Sequence, residues 1–412
     1  MSHASHVHAV PHPIDLSDGQ SFAGGFPHEF FAALRSHDTP YWHEPTKKTP
    51  DGEGFWVVSR YRDIAVLFRD DKSFSSDRGG DRIAGGTALK DEPSAGKMLN
   101  QTDNPHHRRL RDLVQKGFTT RAMRQLEDDI RCRTRDVLDA FLAKPDADFV
   151  AEVARELPLQ AICTILGVPL EDREALVGWV DAGIENNTGD VIAHEYLRKL
   201  GAYSRELIEE KRLRPRDDIL STIIHARLDG YEEPQLSNFE LRLFFNLLFP
   251  AGAETTRSAM GGAIHAFMAF PDEYRRLREN PSHIRTAIEE IVRWTTPSIY
   301  KRRTATRDIE FVGAPIREGD KITVWEMSGN RDEREFEQPF SFDVTRSPNR
   351  HLGFGAGVHF CLGSQLARLE LRVLLEELVQ RAEGFEPAGE AAWTPNNRLL
   401  GLKRLPVRTR LL

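Results

Sequence analysis

From about residue 105 to 295 apolar residues recur at three- and four-residue spacing, interrupted near Pro145, Pro169, Pro215, Pro234 and Pro271. That period is the signature of successive amphipathic helices, each ended by a residue that cannot continue one. A shorter segment of the same kind spans Pro27 to Ser36, and a last helix is expected over Leu362–Arg381. Strand-like runs are few: Gly54–Ser59, rich in Val and aromatics, and two pieces at Ile309–Val312 and Lys321–Trp325. Between 76 and 100 lie Gly79, Gly80, Gly85, Gly86, Pro93 and Gly96, which predict a long irregular loop. A loop of that length inside a domain is uncommon unless it serves function. Residues 1–20, with His3, His6, His8 and His12 among small residues and prolines, read as a disordered or loosely packed extension. There is no internal repeat and no linker-like tract. The expectation is a mainly α fold, residues 21–412 forming one domain with a large helical body and small β-sheets.

Composition narrows the function. The 412 residues are 40% hydrophobic and 29% charged, with no apolar run of the about 18 residues a membrane span requires. The polar amino terminus lacks the basic start and apolar core of a secretory signal, so a cytoplasmic location is expected. A net charge of −7 gives no general case for nucleic acid. Three widely spaced cysteines, Cys132, Cys163 and Cys361, exclude a disulfide framework, a zinc ribbon and an iron–sulfur cluster. Cys132 and Cys163 fall in helical sequence and read as inert packed or half-packed thiols.

Cys361 differs, because it follows a glycine-bearing turn, Phe354-Gly-Ala-Gly-Val-His-Phe-Cys-Leu-Gly363. Gly355 and Gly357 allow a tight turn and close approach to a flat ligand. Backbone N–H groups at the start of the following helix favour a thiolate. Glycines and a cysteine alone are equally compatible with a buried structural thiol. The whole pattern, however, resembles the haem-binding loop of cytochromes P-450, Phe-x-x-Gly-x-His/Arg-x-Cys-x-Gly, at every position. The resemblance implies haem b between a long central helix and the cysteine-loop helix. Cys361 is then the iron ligand, with Phe354 and Gly363 against the cofactor.

The same resemblance extends upstream. Leu247-Leu-Phe-Pro-Ala-Gly-Ala-Glu-Thr-Thr256 matches the family's central helix, with its Ala/Gly-Gly-x-Asp/Glu-Thr core. Small Ala251 and Gly252 would let the helix pass close over the haem, Ala251 and Thr255 sharing a face at i, i+4. Glu254 and Thr255 would form the catalytic proton relay. Pro250 departs from the family's usual aliphatic residue. It removes the N–H bond to the carbonyl of Asn246, so a kink that reshapes the pocket is expected. Glu290 and Arg293 match the family's Glu-x-x-Arg, and Arg346 completes its buried structural cluster. His107, Arg111, Arg303 and His359 are the implied partners of the haem carboxylates. By analogy the substrate pocket takes in parts of the 76–100 loop, Leu247, Pro250, Ala251, Ser298, Ile299, Leu399 and Leu400. These are mostly apolar, so a hydrophobic substrate is favoured.

Membership implies a monooxygenase, which inserts one oxygen atom of O2 into a C–H bond and reduces the other to water. Glu156–Ile162, Ala253–Arg257 and Arg346–Phe354 resemble actinobacterial members that oxidise sterol side chains and branched terpenoid chains. No flavin or nicotinamide domain fits beside such a fold in 412 residues, so a separate ferredoxin or flavodoxin-like donor with its reductase is implied. Arg108, Arg109, Lys116, Arg368 and Arg372 could give that donor a basic docking face. Two alternatives remain on the same scaffold: oxidative coupling or desaturation, and haem binding or gas sensing without turnover. The Glu254–Thr255 pair argues against the last, since binding alone needs no proton path.

Overall fold

In the computed structural model, which describes residues 13–176, 178–179 and 190–412, the body is built around one helix, Asn238–Ala269, of 32 residues. Ser237 and Glu240 cap it reciprocally, each side chain taking the other's backbone N–H. At 1.5 Å per residue it runs about 48 Å, and apolar residues all round its surface mark it as an interior helix. Helices Glu156–Leu166, Asp190–Leu213, Ile284–Thr295 and Ser364–Val379 pack around it. The helical turns continue through Pro250 without a non-helical residue, so the proline does not break the helix.

A five-stranded sheet flanks this body, in the order Tyr41–His43, Phe55–Val58, Lys321–Val324, Lys301–Ala305, Phe74–Ser75. Phe55–Val58 pairs in parallel with Lys321–Val324, Trp56 opposite Ile322. Its alternating side chains serve two cores. Phe55 and Val57 join Phe22, Phe31 and Trp325, while Trp56 and Val58 join Ile64, Phe68 and Ile322. A second sheet, Asp146–Asp148, Pro406–Leu411 and Ala382–Pro387, closes the carboxy terminus.

Most predicted elements are present with ends moved by one or two residues: His28–Ser36, Phe55–Val58, Ile309–Phe311, Lys321–Val324 and Ser364–Val379. The strand Asp146–Asp148 lies within a stretch expected to be almost wholly helical. Asp-Ala-Asp is too short to carry a period of its own, and the strand exists through pairing with Pro406–Arg408. Of the amino-terminal extension, residues 1–12 lie outside the described residues, whereas 13–20 are packed rather than loose. Leu16 is fully buried, its N–H donating to His43 Nε2 at 3.1 Å and its carbonyl accepting from Asn397 at 2.9 Å. Among the described residues no helix is long and apolar enough to cross a membrane.

Candidate active site

The cysteine loop turns on Gly355 and Gly357, both left-handed at φ 70° and 69°. A Cβ on Gly357 would stand 2.2 Å from the carbonyl oxygen of Phe68. This glycine therefore lets the loop lie flush on helix Tyr61–Arg69, and its close approach is to protein. The loop closes where the Cys361 N–H donates to the carbonyl of Phe354 at 2.9 Å. Arg368 lies over the Phe354 ring, 4.5 Å from its centre. Cys361 precedes the cysteine-loop helix, which begins at Ser364 with Gly363 as its cap residue. Burial pushes the Cys361 thiol up, against the pull of the Gly363 N–H, Lys301, Arg111 and Arg368. Cys163, by contrast, is a core thiol pushed up to about 12 by burial. Cys132 is exposed, correcting the expectation of a packed thiol.

His107, Arg111, Arg303 and His359 come together beside this loop. The rings of His107 and His359 stand 4.2 Å apart, and His359 Nε2 meets the Ser76 hydroxyl at 3.0 Å. Arg303, 3% exposed, donates only to the neighbouring Arg302 carbonyl and lies 5.5 Å from the Phe68 ring centre. Burial and then Arg111 bring His107 down to about 4. Burial, Arg303, His107 and Arg111 hold His359 well below the usual histidine range. Burial lowers Arg303 to about 10. Among the described residues no carboxylate bonds to any of the four, and the buried Nε2 of His107 has no partner. Mutually repelling bases with an orphaned donor fit the carboxylates of a haem placed against Cys361.

On the central helix Ala251 is exposed while Ala253 and Glu254 are buried. The Thr255 hydroxyl donates to the Ala251 carbonyl at 2.8 Å, one turn back on the same face. Glu254 is 9% exposed and meets Arg257 at 3.4 Å. Leu247 and Pro250 are half-buried on the same side. Gly252 points elsewhere than expected. A Cβ there would stand 2.9 Å from Cδ1 of Ile162, so its small size seats helix Glu156–Leu166.

Ser298 and Leu399 are bridge partners and half-buried, as wall residues would be. Ile299 and Leu400 are buried in the core with Phe22, Phe26 and Trp325. In extended chain the neighbours of wall residues point the opposite way.

The Glu290 cluster is assembled in full. Arg293 grips the wholly buried Glu290 carboxylate through Nε and Nη2, both at 2.7 Å, and Arg346 Nε reaches it at 3.2 Å. The sequence reading missed three partners of this region. Asn349 donates to Glu290 at 3.0 Å. Buried Arg331 stacks 4.2 Å from the centre of Trp294 and holds the carbonyls of Arg293 and Trp294. Glu289 takes Arg368 in two bonds of 2.7 and 2.9 Å and His351 at 3.0 Å. Burial raises Glu289, yet these partners bring it to about 2. Glu289 directly precedes the matched Glu290, the one local signal available.

The basic docking face is largely neutralised. Arg109 is 6% exposed and bound to Glu240 at 2.6 Å, Arg368 to Glu289, and Arg372 to Glu127 at 2.7 Å. Lys116 donates to the Arg227 carbonyl. Arg108 alone of the five is exposed and loosely held, 3.8 Å from Asp112.

One thiol on a glycine-turned loop, a cradle for two carboxylates, and a hydroxyl-bearing helix in a helical body define a haem-thiolate protein. A sequence model of the family Cytochrome P450 matches residues 27–411, and the chain belongs to that family of monooxygenases. It is 48% identical over 403 residues to a Mycobacterium tuberculosis protein named as cytochrome P450 126, covering 96% of this chain and 97% of the relative. It is 36% identical over 393 residues to a methyl-branched lipid omega-hydroxylase of M. tuberculosis, covering 92% and 90%. Among solved structures, Mycobacterium marinum cytochrome P450 CYP268A2 in complex with pseudoionone matches with a TM-score of 0.85. That match has 33% identity and covers 97% of this chain and 100% of the other.

Proposed function

We propose that this chain binds haem b through Cys361 and hydroxylates an apolar, methyl-branched substrate, with electrons from a separate ferredoxin or flavodoxin-like donor. The observation that carries the reading is the cradle of His107, Arg111, Arg303 and His359, four basic groups that among the described residues hydrogen-bond to no carboxylate and stand beside one thiol. Haem supplies the activation of O2 and its transfer to carbon.

The chain's own residues do the rest. Arg303, Arg111 and the two imidazoles would hold the carboxylates of the haem. The Thr255 hydroxyl, held by the Ala251 carbonyl, is placed to pass a proton from its Oγ1. Glu254, next in sequence and nearly buried, is the carboxyl that resupplies it. Leu247, Pro250, Ala251, Ser298 and Leu399 offer carbon surface, which excludes water and positions an apolar chain. The methyl-branched substrate class follows from the lipid hydroxylase relative and from pseudoionone, itself an acyclic methyl-branched ketone.

The reduced, carbon monoxide-bound absorption spectrum tests the haem assignment. The wild-type chain should give the Soret position of thiolate ligation, and Cys361→Ser should abolish it. Labelled O2 then separates hydroxylation, which carries label into product, from coupling or desaturation, which does not.

A further inference from the structure

The strand Lys301–Ala305 carries Arg303 and, two residues earlier, a further cation that the four-residue cradle does not include. Alternation along the strand puts Lys301 and Arg303 on one face, with Arg302 turned away to Asp91. Both stand over the ring of Phe68, Lys301 Nζ at 6.0 Å and the Arg303 guanidinium at 5.5 Å from its centre. Phe68 lies in the last turn of helix Tyr61–Arg69, against which Gly357 of the cysteine loop is seated. Burial raises the Cys361 thiol, and Lys301 pulls it down together with Arg111 and Arg368. Lys301 is therefore placed between the thiol and Arg303.

Its anchor is Glu326, which begins the short helix Glu326–Gly329 just after strand Lys321–Val324. Glu326 is wholly buried, takes the Lys301 ammonium on Oε1 and has no partner for Oε2. Burial raises its carboxyl, while Lys301 and Arg303 draw it down. A buried carboxylate left to Arg303 alone would compete with any anion brought to that guanidinium. Lys301 takes up that charge and leaves Arg303 available. An ammonium has three donors, and among the described residues only Glu326 accepts from this one. The Lys301 side chain also keeps 29% of its surface exposed. Two donors thus remain for a group seated against Arg303. Burial first, and then neighbouring cations, hold His107 and His359 neutral. The standing cations that face the two haem carboxylates are then Arg111, Arg303 and Lys301.

We propose that Lys301, aimed by Glu326, is a further cofactor-binding residue whose ammonium joins Arg303 on one haem carboxylate. This rests on the haem reading above. The test follows transfer of cofactor from the loaded chain to excess apomyoglobin, with haem and with haem dimethyl ester, whose carboxylates are masked. The variants are Lys301→Arg, Glu326→Asp and the double Lys301→Gln/Glu326→Gln, which removes both charges while the two amides can still hydrogen-bond. The thiolate spectrum of each loaded chain reports folding.

The double variant should lose haem about tenfold faster than wild type, and Lys301→Arg less than about twofold faster. Glu326→Asp keeps the charge but draws the ammonium back, so its rate should fall between wild type and the double. With the dimethyl ester, wild type and double variant should differ by less than about twofold. A double variant that loses haem at the wild-type rate overturns the proposal, as does a tenfold difference that persists with the ester. A Glu326→Asp chain identical to wild type overturns the aiming by Glu326. If the double variant does not load, Lys301→Met/Glu326→Leu, which replaces the pair by carbon, is judged by the same outcomes. A wild-type chain without the thiolate spectrum defeats the haem reading instead.

Discussion

Single side chains here take roles set by what surrounds them, and the carboxyls show it best. Glu289 and Glu290 are adjacent and gripped by arginines, Glu290 wholly buried, and Arg368 with His351 brings the half-buried Glu289 down to about 2. Glu370, on the cysteine-loop helix, is nearly as buried as Glu290 but faces Thr256 and a cavity of about 10 Å³ lined by Leu157, Ala161 and Met260. That volume matches one water molecule. Burial pushes Glu370 up to about 8 from an ordinary value of 4.5. The folded chain therefore binds this proton more tightly than the unfolded chain. Its contribution is intact below about pH 4.5 and is lost as pH rises through about 8. Thermal melts of Glu370→Gln should show no gain over wild type at about pH 5 and a clear gain at about pH 9. Thr255 has a different vulnerability. Because its hydroxyl is the one the reading places to pass the proton, Thr255→Ala should lower product formation roughly 100-fold. Reductant should still be consumed and recovered as hydrogen peroxide, whereas Thr255→Ser should retain most coupling.

At the scale of elements, the central helix combines opposed requirements. Capping at Ser237 and apolar contact on every side stabilise it, while Pro250 deprives the Asn246 carbonyl of its donor. Pro250→Ala should raise stability by about 1–3 kcal/mol, read by thermal melting of the haem-loaded chain. It should also alter the affinity of bulky distal azoles more than that of imidazole, because residue 250 borders the site. Part of this element was legible in sequence, since its small residues and the Glu–Thr pair are contiguous. The purpose of Gly252 was not. A glycine shows only that a side chain is excluded, and the structure names the excluding atom as Cδ1 of Ile162. Strand Asp146–Asp148 escaped sequence reading for a similar reason, its only template being a segment some 260 residues away.

For the whole molecule, the sequence reading counted cations where the structure counts pairs. Arg109, Arg368 and Arg372 are bound to Glu240, Glu289 and Glu127. Their fields are cancelled at short range and contribute little to long-range steering of an acidic donor. The rate of reduction by a ferredoxin should accordingly change less than about twofold between low and physiological salt. A steep fall with salt would restore the steering face.

What the sequence by itself determined is a set of short strings, the cysteine loop, the Ala251–Thr255 turn and Glu290–Arg293, whose spacing encodes a turn or a shared face. The scattered bases and Arg346 were legible only through resemblance to the family. What only the tertiary structure decided is how those pieces are confined. Ile299 and Leu400 turn into the core, the surface arginines find carboxylates, and the 76–101 loop is bound down by Arg302 and Arg398. Those outcomes depend on partners such as Asp91 and Arg302, 211 residues apart. No local period reports such a meeting, because it is fixed by packing and by the cost of leaving a buried charge unpaired.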